Sequence, residues 1–567
     1  RDAMEDNRQN AEPEIRSVYT YDERGFLTSD SEGGTVYHYI RDSEGRILTK
    51  SAWGKTLYET SYGADGKPSG IVAQGVRTDY TYDAAGRLKK LVSDNGLSVQ
   101  YRYDRNGMQT QMLYGNGLVT AYTYDSRSRL TGMRSGFPDR TPLFDASYTY
   151  DASGNRTGRQ ETVHGNHGTH KTPVTTAYGY DSMNRLVSEN CGNSRISYKY
   201  DLSGNRISRD TDGRTENYLY NSRNQLTQLT GDDKNISYTY DPAGNLTEEH
   251  STEHKKIYSY DTYNRNTEIN GNDFTQKNHY DAEGYRYSIE ENDKVTNFVY
   301  RRGIMLAELD EAGNQAKTYT LGNEYAGHVS ELNNSLTSEN KAASYYITDE
   351  QGSIRYILDQ SGEVQNYYQY SAFGETIISE ETTPNRLRYN TQTEDELTGF
   401  YYLRARYYAP GIGRFTQEDV IYNDGLNLYA YCNSNPVMYS NPSGFAKETC
   451  KSKVGGECDS ESGSNPKNVF PENPDDLLPE IPRNKATKTN GTTSQTIQTS
   501  DNIRIRAEQH PLLPGETYNP RHHGVHYHVE YKVDPTKSWN NKNNVKKWYP
   551  EGYTPGAGSG FIPGEPF

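Results

Sequence analysis

Tyr198-Lys199-Tyr200-Asp201-Leu202-Ser203-Gly204-Asn205 is the stretch whose reading decides the fold of this chain of 567 residues. Two tyrosines two positions apart project from one face of an extended strand. Asp201 then opens a turn, because its side chain can bond the backbone two residues on, and Gly204 completes it by accepting a positive φ. A leucine or isoleucine a few residues later starts the returning strand, as Leu226 and Leu246 do in their own units. The unit recurs at Tyr19-Thr20-Tyr21-Asp22, Tyr80-Thr81-Tyr82-Asp83, Tyr101-Arg102-Tyr103-Asp104, Tyr122-Thr123-Tyr124-Asp125 and Tyr148-Thr149-Tyr150-Asp151. It then locks into register: the second tyrosine falls at Tyr180, Tyr200, Tyr220, Tyr240, Tyr260, Tyr280 and Tyr300, an unbroken step of 20 residues. A disordered linker does not hold such a register. One hairpin of this length is marginal in water, whereas stacked hairpins bury one another's faces and pair one another's edges. The pattern therefore predicts a continuous spiral sheet whose stability adds up along the array.

Composition agrees once tyrosine is counted as core material. Apolar residues make up 32% and mean hydropathy is -1.02, values that alone lean toward disorder, but the 52 tyrosines supply large buriable rings with high strand preference. The net charge of -15 lies upstream, since basic and acidic residues balance at 15 each over residues 445–567. An acidic body repels nucleic acid and anionic membrane and suits an exported scaffold. Cys191, Cys432, Cys450 and Cys458 form neither a disulfide framework nor a zinc spacing. No apolar run has the length that spans a bilayer, and the start at Arg1-Asp2-Ala3, without a signal peptide, reads as a fragment of something longer.

From about Tyr345 to Gly444 the units become irregular, with Tyr370-Ser371-Ala372-Phe373-Gly374-Glu375 and the dense run Thr398-Gly399-Phe400-Tyr401-Tyr402-Leu403-Arg404-Ala405-Arg406-Tyr407-Tyr408. Pro410-Gly411-Ile412-Gly413-Arg414-Phe415, Gly425-Leu426-Asn427-Leu428-Tyr429-Ala430-Tyr431, Asn435-Pro436-Val437 and Asn441-Pro442-Ser443-Gly444 follow. This stretch closely resembles the RHS repeat-associated core, and with the tyrosine-aspartate (YD) repeats the resemblance covers residues 1 to about 445. It implies a hollow β-shell that wraps a variable C-terminal toxin, with the core closing one end. It also implies self-cleavage after an Asp-Pro-x-Gly-Leu motif by a pair of aspartates. Here the corresponding residues are Asn441-Pro442-Ser443-Gly444-Phe445, with Asp419 upstream at the place of the first aspartate and Glu418 as a substitute for it. An amide neither shares a proton with a carboxylate nor activates water, so cleavage is expected to be impaired or to proceed otherwise; Asn441 is also what a substitution made to trap the uncut chain would look like.

The tail carries the second candidate, Arg521-His522-His523-Gly524-Val525-His526-Tyr527-His528-Val529-Glu530-Tyr531-Lys532-Val533. Valines and tyrosines alternate with polar residues, so a strand is expected with His526, His528, Glu530 and Lys532 on one face. Arg504 and Arg506, alternating with Ile503 and Ile505, predict a neighbouring strand that supplies cations. Such a group suits a metal-free ribonuclease, in which one histidine takes the 2′-OH proton, another protonates the leaving oxygen, and arginine meets the phosphate; His522, His523 and Arg521 join the candidate set. The same residues also suit a divalent metal at His526 and His528, with His522 and His523 joining, in a metal-dependent nuclease. Trp539 and Trp548 could stack bases.

The expected fold is mainly β: a spiral β-shell of YD repeats (1–344), closed by an RHS core (345–444), then a linker or loosely structured stretch (445–500) and a small α+β toxin domain (501–567). The expected function is delivery of a C-terminal cytotoxic nuclease, without cofactor, in interbacterial competition. The protein would be secreted or on the cell surface, its toxin acting on RNA or DNA in the target cytoplasm. Expected partners are an immunity protein and secretion machinery or an N-terminal delivery domain. The rival expectation is a structural or adhesive surface protein with an inert tail.

Overall fold

Strand Ser194–Tyr200 turns at Asp201 and returns as Arg206–Thr211. The Asp201 N–H donates to the Asn205 carbonyl (2.9 Å), and the Asp201 carboxylate accepts the Asn205 N–H (2.8 Å). Gly204 sits at φ +82°. Units without glycine there use Asn184, Asn224 and Asn264 at φ 60°, 60° and 61°, asparagine being a side chain that tolerates the left-handed region. The second tyrosine of the unit lies at a bulge in its hairpin, and in several units its hydroxyl reaches back to the preceding hairpin. Tyr180 donates to the Arg156 carbonyl (2.7 Å), Tyr200 to Leu186 (2.8 Å), Tyr220 to Arg206 (2.9 Å) and Tyr280 to Asn266 (2.8 Å). In these units the ring is at least half-buried while its polar end is satisfied, a reason for tyrosine rather than phenylalanine there.

The computed structural model describes residues 3–5, 16–139, 142–163, 170–331, 341–420, 427–445, 448–449, 483–488, 491–498, 503–512, 523, 525–534, 537–539, 541 and 543–548. Two units divide the chain, Arg1–Glu457 and Cys458–Phe567. In the first, a 35-stranded antiparallel meander runs from Ala3–Glu5 to Thr376–Glu381, each strand pairing with the next in the chain.

The meander winds back past itself. Tyr19 donates to the Ala282 carbonyl, Tyr80 to the Leu321 carbonyl, Tyr114 to the Tyr346 carbonyl and Tyr148 to Glu350, while Glu189 accepts the Ala372 N–H. The sequence separation of these partners falls from 263 through 241, 232 and 202 to 183 residues. The two passes of the sheet thus meet along one seam, residues 19–189 of the first against 282–372 of the second. Aromatic rings fill the seam between windings: Tyr114 against Tyr345, Phe144 on Tyr356 and Tyr198 against Phe373, at centroid distances of 5.9, 6.2 and 5.2 Å.

The core segment adds a four-stranded sheet, Thr393–Asp395, Phe400–Tyr402, Tyr407–Ala409 and Arg414–Phe415. A bidentate pair, Arg286 to Asp395 at 2.6 and 2.8 Å, ties it to the repeats with both side chains wholly buried. It then follows the repeat turns: Gln417 Nε2 donates to the Asn264 carbonyl (3.1 Å), Tyr429 Oη to the Gly244 carbonyl (2.8 Å), Asn427 Nδ2 to Asn205 Oδ1 (2.8 Å) and Asn435 Nδ2 to the Asn184 carbonyl (2.8 Å).

The second unit holds a five-stranded antiparallel sheet in chain order: Arg483–Thr487, Thr493–Gln498, Ile503–Gln509, His526–Lys532 and Val545–Trp548. The first two strands lie inside the stretch expected to be a linker. Ile497 is the one aliphatic side chain of Thr493–Gln498, and it is buried, which is too little apolar signal to mark a strand. The α part expected of this domain has no counterpart among its described residues, which carry strands only.

Candidate functional site

Antiparallel pairing of Ile503–Gln509 with His526–Lys532 sets Glu508 opposite His526, Arg506 opposite His528 and Arg504 opposite Glu530. The period of two puts all six on one face of the sheet. The His526 and His528 rings meet edge to face at 5.2 Å, and His510 stacks on His526 at 5.4 Å. Glu530 accepts from Arg504 Nε and Arg506 Nη2, both at 2.7 Å, and Arg506 Nη1 reaches Glu508 at 2.7 Å. His528 Nε2 lies 3.5 Å from the other Glu508 oxygen. One arginine thus joins two carboxylates, and charge alternates across the face. The Arg504 guanidinium also lies over the Trp539 ring at 4.4 Å, so this tryptophan supports a cation. Lys547, opposite Glu530 on the last strand, is held below the usual ammonium range by burial and by Arg506.

The alternation of the His526 strand predicts a solvated polar face and a buried Val/Tyr face. The polar face is buried as well: His526, His528 and Glu530 expose 1, 4 and 4%, while on the other face Tyr527 is wholly buried and Tyr531 is 37% exposed. Cross-strand ion pairs make this affordable, since each buried charge meets an opposite one within hydrogen-bond distance. Glu530 is fully engaged as the anchor of two arginines. Arg504 and Arg506 keep 23 and 24% of their side chains exposed, so a phosphate can reach them. His523 is buried. Arg521 and His522 lie outside the described residues. Glu508 and His510 complete the cluster and were not singled out from sequence; the alternation Arg504, Arg506, Glu508, His510 was the available signal. The side-chain atoms able to ligate a metal that converge among the described residues belong to Glu508, His510 and His526, all within 4.8 Å of one another, rather than to His526 and His528.

At the junction, Arg406 pairs with Asp419 through Nη2 (2.5 Å) and also donates to the carbonyls of Gly444 and Phe445. Arg404 donates to the Pro442 carbonyl, and the Ala405 N–H to the Ser443 carbonyl (3.3 Å). The motif is thereby laced to one buried arginine whose counter-ion is Asp419. Asn441 is buried at 3% exposure, and its Oδ1 has no hydrogen-bond partner among the described residues. Glu418 points elsewhere, meeting Arg223 of the repeats at 3.0 Å and Tyr429 of the core segment at 3.4 Å.

The family profile described as Teneurin YD-shell matches residues 134–438, just over half of the chain. This chain belongs to the YD-shell family. A second profile, RHS Repeat, matches residues 82–119 of the YD-shell chain. Among curated relatives, the tRNA3(Ser)-specific nuclease WapA of Bacillus spizizenii is 37% identical over 175 residues, 29% of this chain and 7% of that protein. The double-stranded DNA deaminase toxin A of Burkholderia cenocepacia is 35% identical over 108 residues, 18% of this chain and 8% of that protein. The chain thus spans less than a tenth of the length of these two relatives. Among solved structures, the Tc holotoxin pore of Photorhabdus luminescens shares the fold, with a TM-score of 0.58 at 17% identity over 80% of this chain and 28% of that one. No helix among the described residues is long and apolar enough to cross a membrane.

Proposed function

We propose that this YD-shell chain is the container and cargo of a delivered toxin, its cargo a ribonuclease in the C-terminal unit. The observation that carries the reading is one buried sheet face, in a unit separate from the YD sheet, on which His526 and His528 meet beside Arg504 and Arg506. In this reading one histidine takes the 2′-OH proton, the other protonates the leaving oxygen, and the arginines, held by Glu530, meet the phosphate charge without a metal. The YD sheet would enclose the cargo, with the core segment closing one end. Export would need secretion machinery or an N-terminal delivery domain, the producer an immunity protein, and the target would be RNA in the cytoplasm of a competing cell. Relatives that are a tRNA nuclease and a DNA deaminase toxin support a cargo that acts on nucleic acid.

Residues 446–567 expressed inside bacteria are expected to stop growth, and His526→Ala with His528→Ala to relieve the arrest. The purified unit is expected to cut RNA in the presence of chelator, each single histidine variant losing about 10²–10⁴-fold in rate. A folded tail that leaves growth untouched and RNA intact would favour a structural or adhesive surface protein.

A further inference from the structure

We propose that Glu508, His510 and His526 form a binding site for one divalent transition-metal cation of the zinc class. The inference shares His526 with the ribonuclease reading, and because an imidazole bound to a cation cannot also carry the proton, the metal-bound chain would be an inhibited state of that ribonuclease. Two imidazoles and a carboxylate are an N/O donor set suited to such a cation, and three protein ligands leave a fourth position open for water. Each residue offers one donor atom, and the three atoms lie within 4.8 Å of one another. Bonds of about 2.0–2.2 Å in tetrahedral geometry need donors about 3.4 Å apart. Binding would therefore draw the donors together by roughly an ångström, His510 being the half-buried member of the three.

The surroundings favour binding. Thr492 Oγ1 lies 3.1 Å from His510 Nδ1, so the hydroxyl can accept the Nδ1 proton and leave Nε2 as the donor to the metal, the outer contact a metal-bound histidine ordinarily keeps. Glu508 is held by Arg506 through one oxygen at 2.7 Å, and His528 Nε2 stands 3.5 Å from the other, a contact the cation would compete with. Glu508 and His526 are buried and opposite each other on paired strands, whereas His510 is only half buried, so the cation has a rigid floor and an open side. Arg506, and Lys488 at 3.6 Å from Glu508, oppose the added charge and favour a tightly coordinating cation over calcium or magnesium, which rely on several oxygen ligands.

The test is calorimetric titration of the metal-stripped full chain with zinc chloride alone, alongside cobalt chloride followed by visible absorption. One saturable zinc equivalent is expected, with a cobalt spectrum of tetrahedral type. His510→Ala should abolish both, Thr492→Val should weaken zinc binding about tenfold, and His250→Ala, away from the cluster, should change neither. His510 is half buried, so its variant is expected to keep the metal-free melting temperature, which is measured in parallel. Absence of a saturable zinc equivalent in the unmodified chain overturns the site, as does zinc binding unchanged in His510→Ala. Cleavage of RNA is not the readout, so an inactive tail leaves the metal result standing, and a chain that binds no zinc leaves the acid–base reading standing.

Discussion

At Asn441 an amide occupies a buried position where the family resemblance places an acid. Arg406 already links Asp419 to the Gly444 and Phe445 carbonyls, so the missing element is a proton-sharing group on residue 441. Asn441→Asp is expected to restore a cut near Phe445, read as two fragments on a denaturing gel where the present chain is expected to give one band; an uncut variant would refute the assignment. Arg286 makes a different kind of prediction. It and Asp395 are wholly buried, so Arg286→Met leaves a charge stranded in the interior and should cost about 3–5 kcal/mol, seen as a lower Tm. Adding Asp395→Leu removes the stranded charge, and much of the lost Tm should return.

Between elements, the seam joining successive windings carries carboxyl groups raised by burial. Glu189, which accepts the Ala372 N–H from the next winding, is pushed up to about 7 by desolvation, and Asp30, hydrogen-bonded by Tyr39, to about 6. For a carboxyl raised in the folded state, the stabilising contribution is present below the unfolded value of about 4.5 and is lost as pH rises through the folded one. Raising the pH from 5 to 8 should therefore lower the Tm of the repeat unit. Glu189→Gln, which keeps an acceptor for Ala372, should flatten that slope and gain about 2 kcal/mol at pH 8; an unchanged slope would contradict it. The hairpins themselves were legible, because the Tyr-x-Tyr-Asp spacing states strand, turn and return within twenty residues. Which winding lies against which was not, since a period records the neighbour along the sheet and is silent about the number of units in a circuit. In the tail, alternation correctly placed His526, His528 and Glu530 on one face opposite Arg504 and Arg506. It was silent about the polar face being covered too, because cross-strand charge pairing rather than hydropathy allows that.

Across the whole repeat unit, the side chain four residues after the turn Asp or Asn closes back on it: Arg185 on Asp181, Arg265 on Asp261, Asn155 on Asp151, Asn205 on Asp201 and Gln225 on Asn221. Where the core segment lies alongside, the same side chains have a second partner, Asn155 with Asn435, Asn205 with Asn427 and Gln225 with Tyr429. Deleting residues 221–240 removes one register-perfect unit and leaves every remaining hairpin able to stack on its neighbour. It nevertheless shifts the core by one turn against these partners, so limited proteolysis is expected to cut within residues 382–445 of the deletion variant and to spare them in the full chain. Equal resistance would show that the core does not read the turns individually.

The seam partners stand 263 residues apart at Tyr19–Ala282 and 183 apart at Glu189–Ala372. A sheet whose passes kept one fixed separation could lengthen by copying any unit, as a screw advances by whole threads. Here the threads are not interchangeable: these rungs meet their partners at different distances, and a hairpin inserted between two partners would mis-seat the rungs that follow it. Insertions are therefore expected to be borne near the ends of the array more readily than in its middle.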